Sequence, residues 1–133
     1  MIFRDETGRE LTLEELGTVT GKIRWEIVYG GHIPAEAREL HNKARQAGDY
    51  HKALELLAEA HRLAPDWPYP LYDMAWTYLL QGDTAKALEY YEQVDRMAPR
   101  GFFTSKEALD CLRRETMGKL PSGSYLQLVL LES

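Results

Sequence analysis

Between residues 34 and 99 the apolar positions recur at intervals of three and four. That is the period of helices with one buried face. A first segment opens near Pro34 and runs through Glu36, Ala37, Leu40, Ala44 and Ala47. Pro34 suits a first helical position, where its missing N–H is no loss. Gly48 is expected to end the segment, since glycine accepts the left-handed conformation after a helix. Asp49 then stands ready to cap a second helix through its carboxylate. That helix carries Tyr50, Ala53, Leu54, Leu57, Ala60, His61 and Ala64 on one stripe, and Pro65 stops it. A third helix starts around Pro68 and Pro70, buries Leu71, Met74, Ala75 and Tyr78, and ends at Gly82. A fourth is capped by Asp83 or Thr84 and carries Ala87, Leu88, Tyr91, Val94 and Met97 up to Pro99.

The four helices are two copies of one unit. A shift of 34 residues lays Gly48-Asp49 on Gly82-Asp83, Lys52-Ala53-Leu54-Glu55 on Lys86-Ala87-Leu88-Glu89, and Ala64-Pro65 on Ala98-Pro99. Leu57 falls on Tyr91, Ala60 on Val94 and Leu63 on Met97. A pair of helices that repeats in this way buries its apolar face by stacking on its neighbour.

The pattern resembles the tetratricopeptide repeat (TPR) family. The small residue of the family's second helix is matched by Ala53 and Ala87, and the turn glycine by Gly48 and Gly82. The closing proline is matched by Pro65 and Pro99, and the large residue one turn after the alanine by Leu57 and Tyr91. The resemblance implies a mainly α fold, a helix-turn-helix solenoid. It would have two full repeats, about 34–67 and 68–101, then a third helix at about 104–118. A C-terminal capping segment would occupy 121–133. Repeat one departs from the family, with Ala37 where a large residue is usual and His41 where a small one is usual. Either repeat one packs less tightly, or His41 faces something outside the repeat.

The ends read differently. After Pro99, Thr104 or Ser105 opens a helix with Ala108, Leu109 and Leu112, ended by Gly118. The run Tyr125-Leu126-Gln127-Leu128-Val129-Leu130-Leu131 is too short and too apolar for its period to separate helix from strand. A solenoid needs its last apolar face covered, which favours a closing helix. Residues 1–33 form a small α/β extension. Thr12-x-x-Glu15 reads as a capping box for a short helix around Leu13–Leu16. Ile23, Trp25 and Ile27 alternate with Arg24 and Glu26 as in a half-buried strand. Met1–Arg4 is its nearest candidate partner. Thirty-three residues are too few for an independent core, so the extension is expected to pack on the repeats.

Composition narrows the function. A net charge of −5 argues against a nucleic-acid or anionic-lipid binder, where a basic footprint is expected. No apolar run reaches the roughly 18–20 residues that span a bilayer. The N-terminus lacks the basic start and apolar stretch of a signal peptide. A cytoplasmic location is expected. Cys111, the single cysteine, cannot form an intrachain disulfide and reads as a small packing residue. His32, His41, His51 and His61 have no metal-motif spacing, and no nucleophile elbow or phosphate-cradling loop is present. The reading is therefore no enzyme, no metal and no cofactor.

Binding remains. In the family, the first helices of the repeats line a concave groove that holds peptides. The resemblance places Arg38, Asn42 and Arg45 there from repeat one. It adds Tyr69, Tyr72, Asp73, Trp76 and Leu80 from repeat two, and Phe103, Lys106, Glu107 and Asp110 from the third helix. A clamp for C-terminal carboxylates is the best-known use of this groove. Asp73, Phe103 and Glu107 stand where its amide and cations belong, and two misplaced carboxylates would repel an anionic tail. The middle of the groove is aromatic instead, and Tyr and Trp are favoured anchors. Three occupants stay open: a segment of this chain (the strand around Trp25 or the run 125–131), a separate partner, or a second copy in a homodimer. The expected function is a non-catalytic protein–protein interaction module or adaptor binding a protein or peptide. The alternative is a self-associating structural module whose groove is filled by its own N- or C-terminal segment.

Overall fold

The computed structural model of the chain describes residues 2–4, 10–11, 24–26 and 33–132. The chain divides into two compact units, Met1–Gly31 and His32–Ser133. In the first, strands β1 (Ile2–Arg4), β2 (Glu10–Leu11) and β3 (Arg24–Glu26) form an antiparallel sheet in the order β2-β1-β3. Phe3 of β1 pairs with Leu11 on one side and Trp25 on the other. The short helix read around Leu13–Leu16 lies outside the described residues.

The second unit is helical: α1 (Ala35–Arg45), α2 (Tyr50–Leu63), α3 (Pro68–Leu80), α4 (Thr84–Met97), α5 (Ser105–Thr116) and α6 (Ser124–Glu132). Each helix packs chiefly on its neighbours in the chain, the quasi-one-dimensional arrangement of a solenoid. Alanines sit where helices approach closely. Ala37, Ala60, Ala75, Ala87 and Ala108 are fully buried. Larger side chains fill the space between, with Leu57, Leu71, Tyr91, Val94 and Leu112 almost completely enclosed. Each such burial contributes roughly 1.5–3 kcal/mol.

The caps follow the repeat. Asp49 accepts a hydrogen bond from the Lys52 N–H at 2.7 Å, and Asp83 accepts one from the Lys86 N–H at 3.1 Å. The turns before them differ, however. Gly82 has φ of +83°, and the Asp83 N–H reaches back to the Tyr78 carbonyl at 3.0 Å, closing α3 in a left-handed turn. Gly48 is not left-handed. The first helix closes earlier, at Gln46, where the Gln46 and Ala47 N–H groups bond the Lys43 and Ala44 carbonyls. Pro34, expected at the first helical position, is instead the cap of α1, which begins one residue later at Ala35.

The run 124–132 is helical, and its start has a partner the sequence did not point to. Glu115 accepts from the Gly123 N–H at 2.5 Å and the Tyr125 N–H at 3.0 Å, satisfying two otherwise orphaned donors. Tyr125, Leu126 and Val129 face the core formed by α3, α4 and α5. Tyr50, expected on the buried stripe of α2, is instead 47% exposed. It occupies the first turn, where the second helix faces solvent.

Candidate functional site

The first helices of the repeats and the third helix bring five of the expected groove residues, Arg45, Tyr69, Tyr72, Asp73 and Phe103, into two neighbouring groups. The first group is aromatic. Tyr69 and Tyr72, one turn apart on α3, meet Phe102 and Phe103 from the segment leading into α5. Phe103 lies 5.3 Å from Tyr69 and 5.5 Å from Tyr72, centroid to centroid, and 4.8 Å from Phe102. These spacings and inclined rings are those at which aromatic pairs attract. Phe102 is buried, whereas Phe103 is 66% exposed and has φ of +49°. A large side chain in the left-handed region is unusual and costs energy. The turn that puts Phe102 in the core therefore puts the Phe103 ring at the surface.

Thr104 holds this patch together. Its Oγ1 lies 2.8 Å from the Tyr72 hydroxyl and 3.4 Å from the Tyr125 hydroxyl. Tyr125, from the closing helix, thus approaches the far end of the aromatic stripe. Burial holds its phenol above the ordinary tyrosine range.

The second group joins α1 to α3. His41 is 4% exposed, and its Nε2 donates to Asp73 Oδ2 at 2.7 Å. Its ring packs on Tyr69 and Trp67, at 4.3 and 5.1 Å. His41 thus faces the next repeat, not something outside the array. Arg45 Nε stands 3.6 Å from the same Asp73 oxygen, and its guanidinium lies 5.1 Å above the Tyr69 ring. Asp73 is therefore not the open negative charge that its sequence position implies. Two side chains of repeat one hold it.

Trp76 and Leu80 lie further along α3 and are half-buried. They line a hollow of about 690 Å³ with Ala44, Arg45, Gly48, Asp49, Tyr50, Ala53, Leu57 and Asp73. Arg38 and Asn42 are exposed on α1. Among the described residues neither side chain has an ion-pair or hydrogen-bond partner. Lys106 is drawn away to α4, where its Nζ meets Asp95 Oδ1 at 2.8 Å. Glu107 and Asp110 are exposed, and Asp110 pairs with Arg114 at 3.3 Å.

Residues 35–99 match the family model of the tetratricopeptide repeat. The helical unit belongs to that family. No curated protein matches the chain. Repeats of the TPR family generally mediate protein–protein interaction. Within this TPR unit Cys111 is half-buried, and burial, with Asp110 nearby, raises its thiol above the usual range. That suits a packing residue better than a nucleophile. Among the described residues no three His, Cys, Asp or Glu side chains gather as a metal site, and no helix is long and apolar enough to cross a membrane.

Sequence reasoning did not find the His41–Asp73 bond, the Thr104 link or the hollow. The bond joins side chains 32 residues apart on different helices, which no spacing rule reaches. The hollow had a signal, the small residue Ala44.

Proposed function

We propose that the TPR unit is a non-catalytic adaptor that holds an extended segment of a protein partner across α1, α3 and α5. The observation that carries this reading is Phe103. A strained backbone presents its ring to solvent beside Tyr69 and Tyr72, while the adjoining Phe102 takes the core position. A protein that only needed the core would gain nothing from the exposed ring. Arg38 and Asn42, exposed along α1, supply polar contacts at the edge of the same surface. A cytoplasmic setting accords with the single cysteine and the acidic charge.

The variant for the test follows from the packing. Tyr72 and Trp76 both pack against the core, so removing them would confuse unfolding with lost binding. Phe103→Ala touches an exposed ring instead. Affinity capture from native extract with the full chain, beside Phe103→Ala matched for circular dichroism, checks the proposal. A partner held by the first and lost by the second is the expected outcome. A partner retained equally by both rules out the aromatic surface as its site.

A second reading is self-association. On α6, Leu128 is 48% and Leu131 78% exposed, although the helix closes the array. Light scattering across a concentration series on the full chain and Leu131→Glu decides it. A dimer that dissociates in the variant favours the structural module, and a monomer at all concentrations removes it.

A further inference from the structure

The two repeats serve as controls for one another. At the 34-residue offset, Ala44, Leu56 and Leu57 of repeat one correspond to Tyr78, Tyr90 and Tyr91 of repeat two. In repeat two Tyr78 lies face to face with Tyr90, their centroids 5.5 Å apart and their planes within 9°. Tyr91 is 1% exposed, and all three rings belong to the cluster that joins α3 and α4 to α5. Repeat one has no ring at any of these positions. At the corresponding joint, between repeat one and α3, the hollow of about 690 Å³ opens over Ala44, Ala53 and Leu57. Trp76 and Leu80 form its other wall. Of the three counterparts, Ala44 and Leu57 line this hollow, so smaller side chains border it where repeat two carries Tyr78 and Tyr91.

From this we infer that the hollow is a binding pocket for an aromatic side chain of a partner segment, with a basic residue beside it. The inference rests on the interaction-module reading and names the chemistry of the segment. The walls supply the apolar enclosure a ring needs. The charge of the neighbour follows from the mouth. Arg45 is engaged with Asp73 and lies over Tyr69, so its charge is already matched. Asp49 also lines the hollow, and among the described residues its carboxylate accepts only the Lys52 N–H. Among the described residues no cation pairs with it. The unmatched charge at the mouth is negative, in a chain of net charge −5. A lysine or arginine next to the inserted ring complements it.

The test uses the full chain and fluorescence anisotropy with labelled, capped pentapeptides. One probe carries phenylalanine between two lysines. In a second, alanine replaces the phenylalanine, and in a third, glutamates replace the lysines. Ala44→Tyr gives repeat one the ring that repeat two already carries. Asp49→Asn keeps a capping side chain but removes its charge. The expected result is that the first probe binds about tenfold or more tighter than the alanine probe, a difference of about 1.4 kcal/mol. Ala44→Tyr abolishes that preference without lowering the melting temperature. Asp49→Asn shrinks the preference for lysine over glutamate.

Should Ala44→Tyr not fold, the alanine probe and Asp49→Asn still decide. Equal binding of the phenylalanine and alanine probes overturns the pocket, as does no binding to the wild-type chain. Binding that appears only in Trp25→Ala overturns it in favour of the chain's own aromatic strand as occupant. The two readings also fail separately. A captured partner lost in Phe103→Ala but kept in Ala44→Tyr leaves the aromatic surface standing and removes the pocket. Phenylalanine-selective binding, with no partner sensitive to Phe103→Ala, does the reverse.

Discussion

His41 Nε2 donates to Asp73 Oδ2 at 2.7 Å, binding the first helix of one repeat to the first helix of the next. The imidazole is buried, so losing the acceptor strands a donor away from water. Asp73→Ala should therefore destabilise the protein by about 1–3 kcal/mol. Asp73→Asn should cost less, because its amide oxygen still accepts. Urea denaturation of both variants checks this, and an unchanged midpoint for Asp73→Ala would show the bond to be dispensable.

The two turn glycines should respond in opposite directions. Gly82 is left-handed, so Gly82→Ala should cost about 1–2 kcal/mol. Gly48 is not left-handed, and an added Cβ there meets nothing within 4 Å. Gly48→Ala should be neutral or stabilise by up to about 1 kcal/mol through the unfolded chain. Equal losses at the two sites would contradict the different turn geometries.

Alkaline pH should weaken the fold. Burial raises the phenols of Tyr90, Tyr91 and Tyr125 above the ordinary range. Above a pH of about 10 the unfolded chain releases these protons more readily than the folded one. Stability is thus fully present below that pH and falls as pH rises beyond it. Tyr91→Phe should flatten the decline. Melting curves from pH 8 to 11 on both proteins test it, and an identical alkaline slope in the variant would exclude Tyr91 as a source.

Phe103 is held in a conformation that suits glycine. Phe103→Gly should raise stability or leave it unchanged, since it relieves the left-handed backbone while removing a mostly exposed ring. Thermal unfolding reports the outcome. A loss of more than about 2 kcal/mol would mean the ring holds the turn together and is not a surface element.

The helices were legible because the code for them is local. Ala53 and Ala87, Asp49 and Asp83, Pro65 and Pro99 mark spacing, caps and stops within one turn of where they act. The same logic misjudged Gly48, because a residue type names the conformations it permits and not the one adopted. For the candidate site the sequence supplied the residues but not their company. Tyr69, Tyr72 and Phe103 lie together, while Lys106 turns to Asp95 and Asp73 is claimed by His41 and Arg45. Those outcomes depend on which helices stand side by side, information that no single helix carries. The run 125–131 was ambiguous for a related reason, since Glu115, which caps its helix, lies on α5.

The unequal joints make the array mechanically uneven. From α3 to α6 the rings of Tyr78, Tyr90, Tyr91 and Tyr125 pack in one cluster, which is expected to make these helices a stiff block. At the hollow, α1 and α2 meet that block without such a set of rings, through smaller aliphatic side chains and the contacts of His41 and Arg45 with Asp73 and Tyr69. Bending should concentrate there, as it does at the thinnest link of a chain. Amide hydrogen exchange should find α1 and α2 opening at lower free energy than α4 and α5. Uniform protection along all six helices would show the array to be equally rigid. If α1 and α2 open first, whatever occupies the hollow acts as a splint, turning a compliant joint into a fixed one.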